Sequence, residues 1–176
     1  MNVGDKIPEI LGKDQNGNEI KASDFRGRKI VLYSYPKANT SGCTAEACSL
    51  QAHRAELQAA GYEIIGVSKD RQELQKKFAD AQGLEFPLIA DTDTTLLQSL
   101  GCWGEKVACG RRTIGILRTT YLVDEEGIIT KIFTVIFKKM TFSRTRCPKN
   151  NSIILIYFFT MNKSVFRPIN NLFKWI

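Results

Sequence analysis

Apolar residues in the first three quarters of the chain fall alternately into short continuous runs and into helical spacing. Residues 30–35, Ile-Val-Leu-Tyr-Ser-Tyr, form a β-branched and aromatic run that ends at Pro36. Such a run predicts a central strand buried on both faces. Ala47, Leu50, Leu57 and Ala60 then give one apolar face to a helix predicted over 43–60 and stopped by Gly61. The alternation repeats with a strand over 62–67, a helix over 71–82 closed by Gly83, a short strand over 87–89 and a short helix over 93–100 closed by Gly101. Residues 119–123 and 128–133 predict two further strands, joined by the turn Asp124-Glu125-Glu126-Gly127. Ahead of all these, Asn16-Gly17 between residues 9–11 and 18–21 predicts an N-terminal β-hairpin. Ser23-Asp24-Phe25 predicts a short helical turn before Gly27. Strands alternating with helices imply an α/β domain whose sheet is covered on both faces.

The pattern stops at Thr134. Residues 1–130 carry 16 basic and 18 acidic residues, whereas residues 131–176 carry 9 basic and none acidic. The net charge of +7 therefore resides in the last quarter, and it gives no reason to expect nucleic acid on the main domain. Two segments result: a domain over 1–134 and an atypical basic tail over 135–176. Within the tail, residues 153–159 form the longest apolar run and read as an exposed strand, with a helix packed on the sheet as the less supported alternative. That run falls well short of the ~18 residues a membrane span needs. No charged stretch followed by an apolar one opens the chain as a secretory leader would. The expected location is cytoplasmic, with no membrane partner.

Five cysteines, at 43, 48, 102, 109 and 147, are odd in number and irregular in spacing, a poor disulfide framework. In a reducing compartment a cysteine pair is more often transient and catalytic than structural. The informative stretch is Pro36-Lys37-Ala38-Asn39-Thr40-Ser41-Gly42-Cys43-Thr44-Ala45-Glu46-Ala47-Cys48. Cys43 stands where a helix should begin, facing unpaired backbone N–H groups and the positive end of the helix dipole, which favour a nucleophilic thiolate. Gly42 lets the backbone approach a ligand, Thr40 offers a hydroxyl, and Pro36 stiffens the turn. Cys48 lies five residues on. In an intact helix the two side chains point about 140° apart and their Cα atoms are roughly 8 Å apart, beyond the ~7 Å limit for a disulfide. A Cys43–Cys48 bond therefore requires the first helical turns to unwind.

Pro36-x3-Thr40-x2-Cys43 resembles the peroxiredoxin active-site motif, and Cys43-x4-Cys48 resembles the bacterioferritin comigratory protein, or Q-type, subfamily. Trp103-Gly104-Glu105, the run from Gly115 to Thr120 and the run from Leu122 to Gly127 are similar to later segments of that subfamily. The resemblance covers residues 1–134. It implies a thioredoxin-like fold, with a central mixed sheet flanked by helices and an N-terminal hairpin. It implies that Cys43 attacks hydrogen peroxide or an organic hydroperoxide and becomes a sulfenic acid. Cys48 would then resolve it to a Cys43–Cys48 disulfide. Thr40 would hydrogen-bond the peroxide or thiolate, Arg118 would stabilise the thiolate and polarise the peroxide, and Pro36 would shield the sulfur. The N–H groups of Gly42 and Cys43 would complete the cradle. Thioredoxin or a similar dithiol protein would regenerate a monomeric enzyme that uses no metal or organic cofactor.

Other readings weigh less. Cys43, Cys48 and His53 could form a soft metal site of a metallochaperone, but the x4 spacing is wide for such ligands. His53 reads as a surface helix residue. A general disulfide oxidoreductase would carry Cys-x-x-Cys, which is absent from the sequence. Cys102 and Cys109 read as plain thiols, Cys109 in an exposed loop, and Cys147 is assigned no role.

Overall fold

The computed structural model describes residues 1–108 and 111–134. The chain opens with strands β1 (Ile10–Lys13) and β2 (Glu19–Lys21), which pair antiparallel as the predicted hairpin. A single 3-10 turn, Ala22–Phe25, follows. Strand β3 (Lys29–Ser34) leads through a loop to helices α1 (Ser41–Ala52) and α2 (Arg54–Ala59). Then come β4 (Tyr62–Ser68), α3 (Gln72–Gln82), β5 (Leu88–Ala90) and α4 (Thr95–Ser99). Strands β6 (Trp103–Ala108) and β7 (Arg111–Ile116) form a second hairpin, and β8 (Thr119–Val123) and β9 (Ile129–Thr134) complete the order.

The central sheet has five strands in the order β5-β4-β3-β8-β9, with β3, β4 and β5 parallel and β8 and β9 antiparallel to their neighbours. This is the mixed sheet that the resemblance implies. Because strand side chains alternate between faces, β3 feeds two cores. Ile30 and Leu32 join Ile65, Val67, Ile89, Leu97 and Tyr121 on one face. Val31 and Tyr33 join Ile64, Leu88, Leu122 and Phe78 on the other, where Cys43 and Ala47 of α1 pack as well. The continuous apolar run at 30–33 is therefore a strand buried on both faces, with each of those residues no more than 2 % exposed. Its C-terminal end delivers the chain to the site.

Three expectations change. The helix predicted over 43–60 begins two residues earlier and is broken at His53 (φ −104°, ψ 10°). Thr40 already has extended backbone (φ −89°, ψ 147°) and stands at the N-terminal boundary position, so Ser41 and Gly42 enter the helix. The short helix predicted over 93–100 is trimmed to Thr95–Ser99. Asp91 explains this, since its carboxylate accepts from Leu96 N at 3.2 Å and Leu97 N at 2.7 Å and ties the helix start to β5. The β6–β7 hairpin is not predicted at all: its Gly104, Gly115 and scattered charges hide the alternation. The assignments of Cys109, Cys147 and the basic tail fall outside the described residues. Among the described residues no helix is long and apolar enough to cross a membrane.

Candidate active site

Cys43 is the third residue of α1 and is 1 % exposed. Helix geometry leaves the amides of its first turn without intrahelical partners, and Thr40 supplies no side-chain cap to them. The amides of Gly42 and Cys43 thus belong to a donor-rich helix start beside the sulfur. The strand–loop–helix connection brings Cys43 to the C-terminal end of β3. The turn before β8 arrives at the same place and carries Arg118. Arg118 Nη2 donates to Cys43 Sγ at 3.1 Å. The other arm of the guanidinium, Nη1, is paired with the carboxylate of Glu46, one turn along α1. Gly42 lies against the same guanidinium: a Cβ there would stand 3.7 Å from Nη2.

Glu46 is 7 % exposed, and burial raises its carboxyl above its ordinary value against the opposing pull of Arg118. Burial also works against the Arg118 charge, but Glu46 and Cys43 beside it outweigh that and raise the guanidinium further. The side chains of this pair are 9 % and 11 % exposed. A buried pair of this kind fixes the orientation of the arginine fork, because both of its arms have assigned partners.

The turn that carries Arg118 is itself clamped by Ser34 at the end of β3. Ser34 Oγ lies 2.8 Å from Leu117 O and accepts from Thr119 N at 3.0 Å. Ser34 is buried. One hydroxyl therefore spans the residues on either side of Arg118. Glu46 and Ser34 were not identified from sequence. A charged residue in a helix reads as a solvated position, and a serine within an apolar run reads as an interruption. The usable signal for Glu46 was its i+3 spacing from Cys43, which puts both on one helix face.

The remaining expected residues take distinct places. Pro36 is half-buried where β3 ends. Thr40 is exposed, and its hydroxyl donates to Lys37 O at 3.1 Å rather than to Cys43. Cys48 lies on another side of α1, with its sulfur 3.5 Å from Gln82 Oε1 of α3. Cys43 and Cys102 carry free thiols. No Cys43–Cys48 bond is present, and α1 is intact between the two residues. Cys102 is fully buried beside the Tyr121 hydroxyl, 3.3 Å away, as an inert core thiol. His53 Nδ1 lies 2.9 Å from Ser49 O. Among the described residues no group of three or more His, Cys, Asp or Glu side chains is disposed to hold a metal ion.

The model of the AhpC/TSA family matches residues 3–132. A putative peroxiredoxin of Mycobacterium tuberculosis is 41% identical over 129 residues, which span 73% of this chain and 82% of that protein. Peroxiredoxin Bcp of Escherichia coli is 38% identical over 133 residues, 76% of this chain and 85% of that protein. Among solved structures, the bacterioferritin comigratory protein of Xanthomonas campestris, described for alkyl peroxide reduction, superposes with a TM-score of 0.67 at 29% identity. That match covers 76% of this chain and 89% of the other.

Proposed function

The chain belongs to the AhpC/TSA family and is a thiol peroxidase, and we propose that Cys43 is its peroxide-attacking sulfur and Cys48 its resolving partner. One observation carries the reading: a buried cysteine in the first turn of a helix accepts a hydrogen bond from an arginine 3.1 Å away. A cationic donor aimed at sulfur favours the anion, and the thiolate is the nucleophile.

In the first step the Cys43 thiolate attacks one peroxide oxygen. An S–O bond forms, the O–O bond breaks, and the departing oxygen takes a proton to leave as water or an alcohol. The product is Cys43 sulfenic acid. Arg118 bears on both reacting centres, since the arm on sulfur is also placed to stabilise charge developing along the O–O bond. The amides of Gly42 and Cys43 line the same corner. The Thr40 hydroxyl, which donates to Lys37 O, retains lone pairs to accept from a peroxide O–H. Pro36 shields the approach. The alkyl peroxide reduction ascribed to the Xanthomonas relative supports organic hydroperoxides as substrates beside hydrogen peroxide.

In the second step the thiol of Cys48, present in the fully reduced protein, condenses with the sulfenic acid. Water leaves and a Cys43–Cys48 disulfide forms. The two sulfurs face different elements, Arg118 and Gln82, so the opening turns of α1 must unwind first. A dithiol protein such as thioredoxin then takes the disulfide back to two thiols and is itself oxidised. We assign this cycle to residues 1–134 of a cytoplasmic, monomeric enzyme, with 135–176 as an appended basic segment.

The test is consumption of hydrogen peroxide and of an alkyl hydroperoxide by pre-reduced protein with thioredoxin, thioredoxin reductase and NADPH. Cys43→Ser should abolish turnover. Cys48→Ser should allow one round of peroxide reduction and then stall. Turnover that survives Cys43→Ser would overturn the assignment.

A further inference from the structure

The loop between β3 and α1, residues 35–40, carries Pro36 and Thr40 and leads directly into Cys43. Tyr35 and Ala38 are buried in the second core. Lys37, Asn39 and Thr40 are exposed, and Asn39 sits in the left-handed region at φ 60°. A non-glycine residue held there costs of order 1 kcal/mol, so the conformation persists only if its neighbours impose it. Ala38, by contrast, is 2 % exposed. Its N–H donates to the Asp70 carboxylate at 2.6 Å, the contact that ties the middle of the loop to the rest of the protein.

Asp70 does not stand alone. The same carboxylate oxygen accepts from Ser68 Oγ at 2.9 Å, and Asp70 N donates back to that hydroxyl at 3.1 Å. Gln75 of α3 donates to Ser68 Oγ at 2.9 Å and to Ile89 O of β5 at 3.1 Å. Gln75 Oε1 in turn accepts from the Tyr35 hydroxyl. Ser68 and Gln75 are both wholly buried. The network thus begins at Tyr35, on one side of Pro36, passes through α3 and the end of β4, and returns to Ala38 on the other side. Every polar atom just named in it has a partner, and a satisfied buried network of this kind is rigid.

We propose that Asp70 is a positioning residue for the peroxidase reaction: through Ala38 N–H it fixes the loop that presents Pro36 and Thr40 over Cys43, with Ser68 and Gln75 locking its carboxylate. The inference rests on the peroxidase reading of Cys43. It adds a residue that touches neither sulfur nor peroxide, set on a different element from Cys43 and Arg118. It also sets the upstream limit of the segment that unwinds for disulfide formation, since residues up to 38 are held by the network and residues from 39 onward are not.

Two measurements test it on the pre-reduced full-length chain, in wild type, Asp70→Ala and Asp70→Asn. Asparagine keeps an oxygen for Ala38 N–H and Ser68 Oγ, and alanine keeps none. Amide hydrogen exchange at Ala38 should rise at least about tenfold in Asp70→Ala and stay near wild type in Asp70→Asn. The rate constant for Cys43 oxidation by hydrogen peroxide should fall about ten- to a hundredfold in Asp70→Ala, as displaced catalytic groups do, and recover in Asp70→Asn. Should Asp70→Ala fail to fold, Asp70→Ser, whose hydroxyl is too short to span the gap, replaces it. Unchanged exchange at Ala38 overturns the proposal. So does an unchanged oxidation rate in a protein whose wild type consumes peroxide. If the wild type itself consumes none, the peroxidase reading falls, and exchange alone decides whether Asp70 fixes the loop.

Discussion

Arg118 meets Cys43 across 75 residues of sequence, with Nη2 3.1 Å from Sγ. Neither residue can reach the other through local structure. The contact exists because β3 and β8 are hydrogen-bonded neighbours in the sheet, so the loop that leaves one and the turn that enters the other share an end. Nucleophile and cation are therefore set by strand pairing, and the ion pair with Glu46 sets the rotation of the fork.

Arg118→Lys keeps the charge and loses the fork. A lysine ammonium is a point charge on a flexible stem and cannot serve Cys43 and Glu46 in one rigid geometry. The rate constant for Cys43 oxidation by peroxide should drop by about a hundredfold, the cost of removing one preorganised donor. Stopped-flow peroxide consumption reads it directly. A lysine variant as fast as wild type would mean that charge alone, without orientation, is what the sulfur needs.

The Glu46 carboxyl gives a pH dependence whose sign can be worked out. Its value is raised in the folded protein by burial, against the pull of Arg118. The folded state therefore binds this proton more tightly than the unfolded state does. The stability this group contributes is fully present below its unfolded value of about 4.3 and is lost as pH rises through the folded value. Glu46→Gln cannot titrate. The difference in stability between wild type and Glu46→Gln should therefore move against wild type as pH rises above that threshold, then level off. Urea denaturation of both proteins at a series of pH values from acid to neutral measures it. A difference that is flat with pH would mean that Glu46 has the same proton affinity folded and unfolded.

Much of the fold and part of this site could be read from the residues themselves. The strand at 30–35, the helices that stop at Gly61, Gly83 and Gly101 and the hairpins at Asn16-Gly17 and Asp124–Gly127 follow from local pattern and turn chemistry. Cys43 followed from its place at a helix start, and Arg118 from the resemblance alone. What escaped shares one cause. Glu46, Ser34 and Gln75 are buried polar residues and Asp70 a half-buried one, and the partners that set their roles, Arg118, Thr119, Ile89 and Ala38, lie 14 to 85 residues away, where local pattern does not reach. The β6–β7 hairpin escaped for a related reason. Its register pairs Gly104 with Gly115 and Lys106 with Thr113 on one face and sets Glu105 and Arg112 among the apolar residues of the other, so no clean alternation announces it.

Ser34→Ala separates placement of the Arg118 turn from the arginine itself. The variant leaves Thr119 N, a buried donor, without the Oγ acceptor 3.0 Å away. An unsatisfied buried donor costs about 1–3 kcal/mol, so the urea midpoint should fall accordingly. Peroxide reactivity should fall as well, because Leu117 and Thr119 flank Arg118 and lose their common anchor. Loss of stability with no loss of rate would show that the β3–β8 ladder alone holds the turn.

Tyr33 offers a prediction of opposite sign. Its ring is buried in the second core, stacked on Tyr35 with centroids 5.5 Å apart and edge-on to Phe86 at 6.2 Å. Its hydroxyl, however, is buried without a hydrogen-bond partner. Burial first, then the neighbouring Tyr35, Glu46 and Cys43, raise this phenol well above its ordinary value, so it stays neutral. The oxygen contributes no charge and no hydrogen bond, only the cost of its own desolvation. It also crowds β4, where a Cβ placed on Gly66 would lie 2.9 Å from it. Tyr33→Phe removes that oxygen and keeps both ring contacts. Stability should rise by about 1 kcal/mol, the lower end of the penalty for an unsatisfied buried polar group, with the peroxide rate unchanged. Urea unfolding compared with wild type decides it. A destabilised phenylalanine variant would mean that the hydroxyl finds a partner in solution, most simply a water molecule enclosed beside Gly66.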